Sequence, residues 1–208
     1  MDIQTLLSPI IILFAVIMYG VVHSLLASSG MKRLIQRRLG GTPNRGYRLV
    51  YNAFAVISLL PVLALTALLP DYVLYTIPSP WVYLTTSFQL VAVFVLLIGL
   101  LQTGVWSFLG LRQLVRAGER DQSDLVVKGL YRHVRHPLYT AGLVFIWLVP
   151  AMTVNVLALN VGLSLYLVAG ALVEERKLLR EFGVEYVYYR EIVPMLIPRF
   201  RLKRSQIG

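Results

Sequence analysis

The chain contains no cysteine. That absence excludes disulfide scaffolds, thiolate metal sites and cysteine nucleophiles together, and it leaves the redox compartment undetermined. Charge is scarce as well: 14% of the 208 residues are ionic, with 10 acids against 20 Lys and Arg. In their place stand apolar residues, 57% of the chain, with a mean hydropathy of +0.70. Ordinary soluble domains carry far less, so a soluble globule is excluded. The length suits one integral membrane domain, residues 1–208, built of spans of roughly 20 apolar residues each, with no large extramembrane module. A net charge of +10 would suggest nucleic acid in a soluble protein. Here every basic cluster abuts an apolar run, so the charges read as membrane topology and lipid contact, and nucleic acid is not an expected partner.

Five apolar segments are predicted as helices, over 7–29, 47–69, 81–103, 137–151 and 153–173. The expected fold is an all-α polytopic membrane protein of about five transmembrane helices with a cytoplasmic C-terminal helix. All twenty basic residues fall in the loop after the first segment, the loop after the third, and the tail. By the positive-inside rule these are cytoplasmic, while the N-terminus and the Pro70–Pro80 loop lie outside. The first segment is expected to stay in the mature protein despite Ala27, Ser28 and Ser29, because no positive charge precedes it and the basic cluster follows it. Pro70–Pro80 has the prolines of a short turn and the aromatics of an interface belt. Arg112, Arg116 and Arg120 recur at helical spacing beside Trp106 and Phe108, as in an interfacial helix.

The fourth segment is short. Pro137 to Val149 spans about 20 Å against a hydrocarbon core of about 30 Å. Pro150 then interrupts it, so Pro137–Glu174 is expected to form a helical hairpin with its apex at Pro150–Thr153 buried or at the far interface. The hairpin brings its two open ends together, and these carry the most polar sequence near the membrane. Pro137 suits a first helical turn, which puts His136 at the cap, where the positive helix end favours an anionic group. Arg135, Glu174, Glu175, Tyr131 and Tyr139 complete a pocket suited to a zwitterion, and a sulfonium would sit well against its aromatic faces. S-adenosylmethionine has these features. No metal site is expected.

Two blocks resemble the integral membrane methyltransferases typified by isoprenylcysteine carboxyl methyltransferase and the phospholipid methyltransferases. The first is Gly129-x-Tyr131 followed by Arg135-His136-Pro137-x-Tyr139. The second runs Glu174-Glu175-x-x-Leu178-x-x-x-Phe182-Gly183-x-x-Tyr186-x-x-Tyr189-x-x-x-Val193-Pro194-x-x-x-Pro198. They cover about residues 125–200, the region expected to bind cofactor. Ala141 stands where that family usually has glycine. His23 to Ser28, Tyr47-Arg48, Tyr51-Asn52 and Pro150–Thr153 resemble a narrower bacterial branch, the NnrU-like proteins and methanethiol S-methyltransferases.

The resemblance implies S-adenosylmethionine-dependent methyl transfer in a bacterial inner membrane, with the active site facing the cytoplasm and a small thiol or other hydrophobic acceptor arriving from the bilayer. Arg135, His136 and Glu175 are the catalytic candidates. Tyr131, His136, Tyr139, Glu174 and Glu175 are the cofactor-binding candidates, and His23, Asn52 and Tyr189 the substrate-binding ones. A thiol acceptor needs deprotonation, for which His136 and His23 are both available, whereas a prenylcysteine carboxylate is already ionised. His23 is equally compatible with a structural hydrogen bond. Tyr186, Tyr188 and Tyr189 read as interface anchors. A non-enzymatic transporter or respiratory accessory factor is the competing class; the scattered Asn52, Ser58, Gln89, Asn155 and Asn160 line no evident polar path.

The charge distribution carries a direct test. A topology reporter fused near Ser79 is expected to read the non-cytoplasmic side and one fused near Lys177 the cytoplasmic side; a cytoplasmic signal at Ser79 would break the odd-crossing arrangement.

Overall fold

In the computed structural model the described residues are 3–39, 46–102, 104 and 125–198. The Arg112–Arg120 helix expected from spacing lies outside them, as do Arg45 and the tail from Arg199 onward. In chain order the elements are α1 (Ile3–Ala27), α2 (Ser29–Leu39), α3 (Tyr47–Leu68), β1 (Val73–Thr76), α4 (Trp81–Gln102), a 3₁₀ turn (Gly129–Arg132), α5 (Pro137–Trp147), β2 (Ala151–Thr153), α6 (Val154–Phe182) and α7 (Val184–Ile192). Among the described residues four helices, α1, α3, α4 and α6, are long and apolar enough to cross a membrane, and α5 is a shorter apolar helix. The protein is an all-α polytopic membrane protein.

Helix identity follows from apolar length, because hydrocarbon offers the backbone no hydrogen-bond partner outside the helix. Most of the apolar side chains point outward: Phe14, Phe94 and Leu165 are each more than 60% exposed in the isolated chain. They face what would be lipid. Packing between helices is confined to narrow seams. α1 lies against α3 and α6, while α4 lies against α5. Ile12, Val16, Val62 and Ala158 form the core of the first group. Close approach there depends on glycine, since a Cβ at Gly20 would lie 2.8 Å from the Tyr166 ring and one at Gly162 would lie 3.0 Å from Val16. Small residues at such seams replace the missing hydrophobic drive with close dispersion contact.

The hairpin of α5 and α6 forms, with three departures from its sequence pattern. α5 ends at Trp147 and is followed by a strand rather than a simple apex: β2 pairs antiparallel with β1, whose residues were expected to be only a turn. Ile77 N–H also donates to the Pro150 carbonyl at 2.8 Å. The apex is thereby joined to the Pro70–Pro80 loop, at the end of the molecule opposite Glu174. Finally α6 does not stop at residue 173 but continues to Phe182, because Glu174–Leu179 are good helix formers and no breaker intervenes before Gly183. Thr153 caps its start, accepting from Val156 N–H at 3.2 Å.

Gln89, Asn155 and Asn160, among the polar residues scattered through the spans, satisfy helix ends, whereas Ser58 bonds back to the Phe54 carbonyl within α3. Asn160 donates to the Ile146 carbonyl (2.7 Å) and Gln89 to the Phe145 carbonyl (3.0 Å), both in the last turn of α5. Asn155 is fully buried and donates to the Leu69 and Pro70 carbonyls just past α3, while Asp71 accepts from its backbone N–H at 3.1 Å. Replacing Asn155 by Ala strands those carbonyls. It should lower the unfolding stability of detergent-solubilised protein by about 1–3 kcal/mol, whereas Ser87→Ala, on an exposed helix face, should stay within about 0.5 kcal/mol; thermal or denaturant unfolding followed by circular dichroism compares them.

Candidate active site

The site is built at the open end of the hairpin. Gly129 opens its first wall in the left-handed region, φ 63°, and packs so tightly on Gln102 that a side chain there would collide with it. Gln102 then accepts from Leu130 N–H at 3.2 Å, which ties the 3₁₀ turn to the end of α4. Gly99 performs a related service for α5: a Cβ there would lie 2.7 Å from Leu138. His136 caps α5 and Pro137 occupies its first turn, as the sequence predicts.

Glu175 on α6 organises the polar groups around it. Arg135 donates to it from Nε at 2.7 Å and from Nη2 at 3.0 Å. The Tyr186 hydroxyl donates to Oε1 at 2.7 Å, and His136 Nε2 lies 2.9 Å from the same oxygen. Arg190 adds a longer contact of 3.5 Å. Side-chain exposures of 10% for Arg135 and 8% for Glu175 make this a buried, fully hydrogen-bonded ion pair. Arg135 Nη1 meanwhile donates to the carbonyls of Val193 and Arg190. Backbone N–H groups of Arg135 and His136 donate to Pro194 and Met195 carbonyls at 2.9 and 3.1 Å, and Thr140 reaches Leu196 at 2.7 Å. The segment after α7 is thus strapped across the entrance of α5.

Beside this knot lies a cavity of about 330 Å³, bordered by Tyr131, His136, Tyr139, Glu174, Phe182 and Tyr189 among others. Tyr139 donates to Glu174 at 2.9 Å and stacks on His136, ring centroids 5.4 Å apart and 4° from parallel. Glu174 keeps 45% of its side chain exposed. Burial, with the Glu174 charge adding, pushes the Tyr131 phenol up to about 12. Burial likewise brings Tyr189 to about 12 against partial opposition from Arg135, and raises Tyr186 with help from its bond to Glu175. All three therefore stay protonated at neutral pH, and Tyr186 and Tyr189 act as donors. Tyr189 uses its proton on the Tyr131 carbonyl, 2.5 Å away. One accessible carboxylate among aromatic faces and apolar walls suits a cation with an apolar body.

The structure brings Arg135, His136, Glu174, Glu175, Tyr131, Tyr139 and Tyr189 together. Glu175 stands behind the cavity wall rather than in it, and the Arg135 charge is spent mainly on Glu175. His23 and Asn52 do not border the cavity. His23 sits on α1 with the Tyr51 hydroxyl 2.7 Å from Nε2 and the Tyr166 hydroxyl on Nδ1. Asn52 follows Tyr51 on α3. Ala141, the departure from the methyltransferase pattern, is 4% exposed and simply packs. Sequence reasoning missed Tyr186, grouped with Tyr188 as an interface anchor. Tyr186 is 1% exposed and Tyr188 67%. The signal was available in the spacing: Tyr186 and Tyr189 share one face of α7, and Tyr188 does not.

The methanethiol S-methyltransferase 2 of Bradyrhizobium diazoefficiens is 43% identical over 75 residues, 36% of this chain. The chain is similar to methanethiol S-methyltransferases. One from Crocosphaera subtropica is 37% identical over 92 residues, 43% of this chain, and one from a Pseudomonas species is 27% identical over 190 residues, 88% of this chain. The match covers 29% of the Bradyrhizobium protein, 36% of the Crocosphaera protein and 70% of the Pseudomonas protein. No protein-family model and no solved structure matches the chain.

The ion pair sets an expectation for stability. Glu175→Ala leaves a buried guanidinium without its carboxylate and should cost about 3–5 kcal/mol, against about 1–3 kcal/mol for Tyr186→Phe; unfolding of the two variants in the same detergent measures the difference.

Proposed function

We propose that the protein is an S-adenosylmethionine-dependent membrane methyltransferase that methylates a small thiol. The observation that carries this is the cavity at which Glu174, Tyr131, Tyr139 and His136 converge, beside the Arg135–Glu175 pair and at the mouth of the hairpin. The names of the similar proteins support the thiol as acceptor. The basic loops support an inner-membrane placement with the N-terminus outside and this mouth facing the cytoplasm, where a polar cofactor would enter, while lipid covers the outward apolar faces.

The residues present fit such a cofactor. When bound, it supplies an electrophilic methyl carbon on a sulfonium. Glu174, held by the Tyr139 hydroxyl, offers the carboxylate that an ammonium or sulfonium needs, and the rings of Tyr131, Tyr139 and Tyr189 offer π faces. His136 presents one ring face to Tyr139 and is oriented by Glu175 through Nε2. Arg135 and Glu175 act through it, as positioning residues. Displacement at a methyl carbon requires the nucleophile in line with the departing sulfur, so rigid placement and exclusion of water are the levers available to this site. The strap of residues 193–196 supplies the rigidity.

Isothermal calorimetry on detergent-solubilised protein tests the cofactor half: S-adenosylmethionine and S-adenosylhomocysteine should both bind, and Glu174→Gln should weaken S-adenosylmethionine binding by about tenfold or more. Product formation with an alkyl thiol tests the other half. A folded protein that binds neither compound at millimolar concentration would remove the methyltransferase reading.

A further inference from the structure

A second polar cluster lies away from the cavity, where α1, α3 and α6 meet. His23 is half-buried, four residues before α1 ends. The rings facing it among the described residues all bear hydroxyls. Tyr19 comes from its own helix with ring centroids 5.6 Å apart, Tyr51 from α3 at 4.9 Å and Tyr166 from α6 at 5.8 Å; Tyr47 stacks on the far side of Tyr51. An ionisable ring in a spanning helix, partnered on both nitrogens, is a functional candidate. Tyr166 also faces an apolar groove of about 490 Å³ between α1 and α6, floored by Gly20 and Gly162 and edged by Ser24. Its lining residues Ile17, Val21 and Leu165 are among the outward-facing apolar side chains. In the other direction, Tyr166 precedes Glu174 by eight residues on α6, about 12 Å along the helix, and Tyr139 holds Glu174 at the cavity. The cluster therefore stands between a lipid-facing entrance and the site of methyl transfer.

The thiolate, not the thiol, is the nucleophile. His136 belongs to the proposed cofactor cavity, with Nε2 on Glu175 and Nδ1 3.7 Å from the Glu174 carboxylate assigned there to the cofactor. His23 has hydroxyl partners instead, and a hydroxyl can accept one proton while giving up another. We propose that Tyr166 and His23 form the proton acceptor for the thiol, an inference that rests on the thiol-methylation reading above. The S–H proton passes to the Tyr166 oxygen as the Tyr166 hydroxyl proton passes to His23 Nδ1. The sulfur lone pair then forms the new bond to the methyl carbon, and the bond from that carbon to the sulfonium breaks with its electron pair going to the departing sulfur. A neutral thioether and S-adenosylhomocysteine result, and the imidazolium loses its proton to water at the end of α1. The Tyr51 hydroxyl, 2.7 Å from Nε2 and 3.1 Å from Nδ1, holds the ring in place.

An acceptor that needs no base separates this role from a merely structural one. Wild type, His23→Gln and Tyr166→Phe are compared on an alkyl thiol and on the corresponding alkyl selenol, which is already ionised at neutral pH, with S-adenosylmethionine affinity measured by calorimetry alongside. Thiol turnover should fall about 10²–10⁴-fold in His23→Gln while selenol turnover stays within about threefold and cofactor affinity is unchanged. Tyr166→Phe should show the same contrast, and it carries the test if His23→Gln does not fold. Equal losses on both acceptors would assign the cluster to packing and overturn the proposal, as would unchanged thiol turnover. Wild-type protein inactive on both acceptors would instead overturn the thiol-methylation reading, and the relay with it.

Discussion

The carboxylate of Glu175 is the constraint on which the functional end of this protein depends. A buried anion is tolerable only when its lone pairs are met, and here Arg135, Tyr186 and His136 meet them at 2.7 to 3.0 Å. The carboxylate and its partners come from three pieces of chain. Arg135 and His136 precede α5, Glu175 lies late in α6, and Tyr186 lies on α7. Satisfying one charge therefore fixes the relative positions of three elements, and the cavity wall follows from that fixation. Arg135 extends the same logic outward, because its remaining N–H groups bind carbonyls that would otherwise end α7 without partners.

At the opposite end the protein meets the same demand with neutral groups. The last turn of α5 and the exit of α3 expose carbonyls within the membrane domain, where water is scarce. Asn160, Gln89 and Asn155 answer them, and β1 with β2 pairs the backbone of the two connecting loops. These amides form no continuous path between the two ends. Their positions follow the helix termini, which explains why they look scattered along the sequence.

Much of this was legible in the sequence, and the reasons are particular. Apolar runs flanked by uncompensated basic residues revealed the spans, because helix length in hydrocarbon is fixed by backbone satisfaction. Pro137 after His136 revealed the start of α5, since proline fixes the first turn. The pairing of Arg135-His136 with Glu174-Glu175 followed from a hairpin too short to hold its ends apart. Burial was harder. Tyr186 and Tyr188 are the same residue two positions apart, and only the direction in which α7 docks makes one a core donor and the other exposed. The strand pair was hidden for a similar reason: Val73–Thr76 and Ala151–Thr153 are too short to show a pattern, and each becomes a strand only because the other is there. The two carboxylates of the Glu174-Glu175 pair were equally indistinct, yet one faces the cavity and its neighbour is sealed behind it.

The strap formed by residues 193–196 has a consequence for how the molecule is made. The four long spans of the described residues and α5 precede it in the chain, so a ribosome has delivered those helices before the carbonyls of Val193, Pro194, Met195 and Leu196 emerge. Until they arrive, the backbone N–H groups of Arg135 and His136 and the Arg135 Nη1 lack those partners. Insertion into the bilayer and completion of the polar site are therefore separate events in time. The first is governed by hydrophobic length and the second by a few late hydrogen bonds, and a nascent chain passes through a stage in which it is fully threaded through the membrane and still without its pocket.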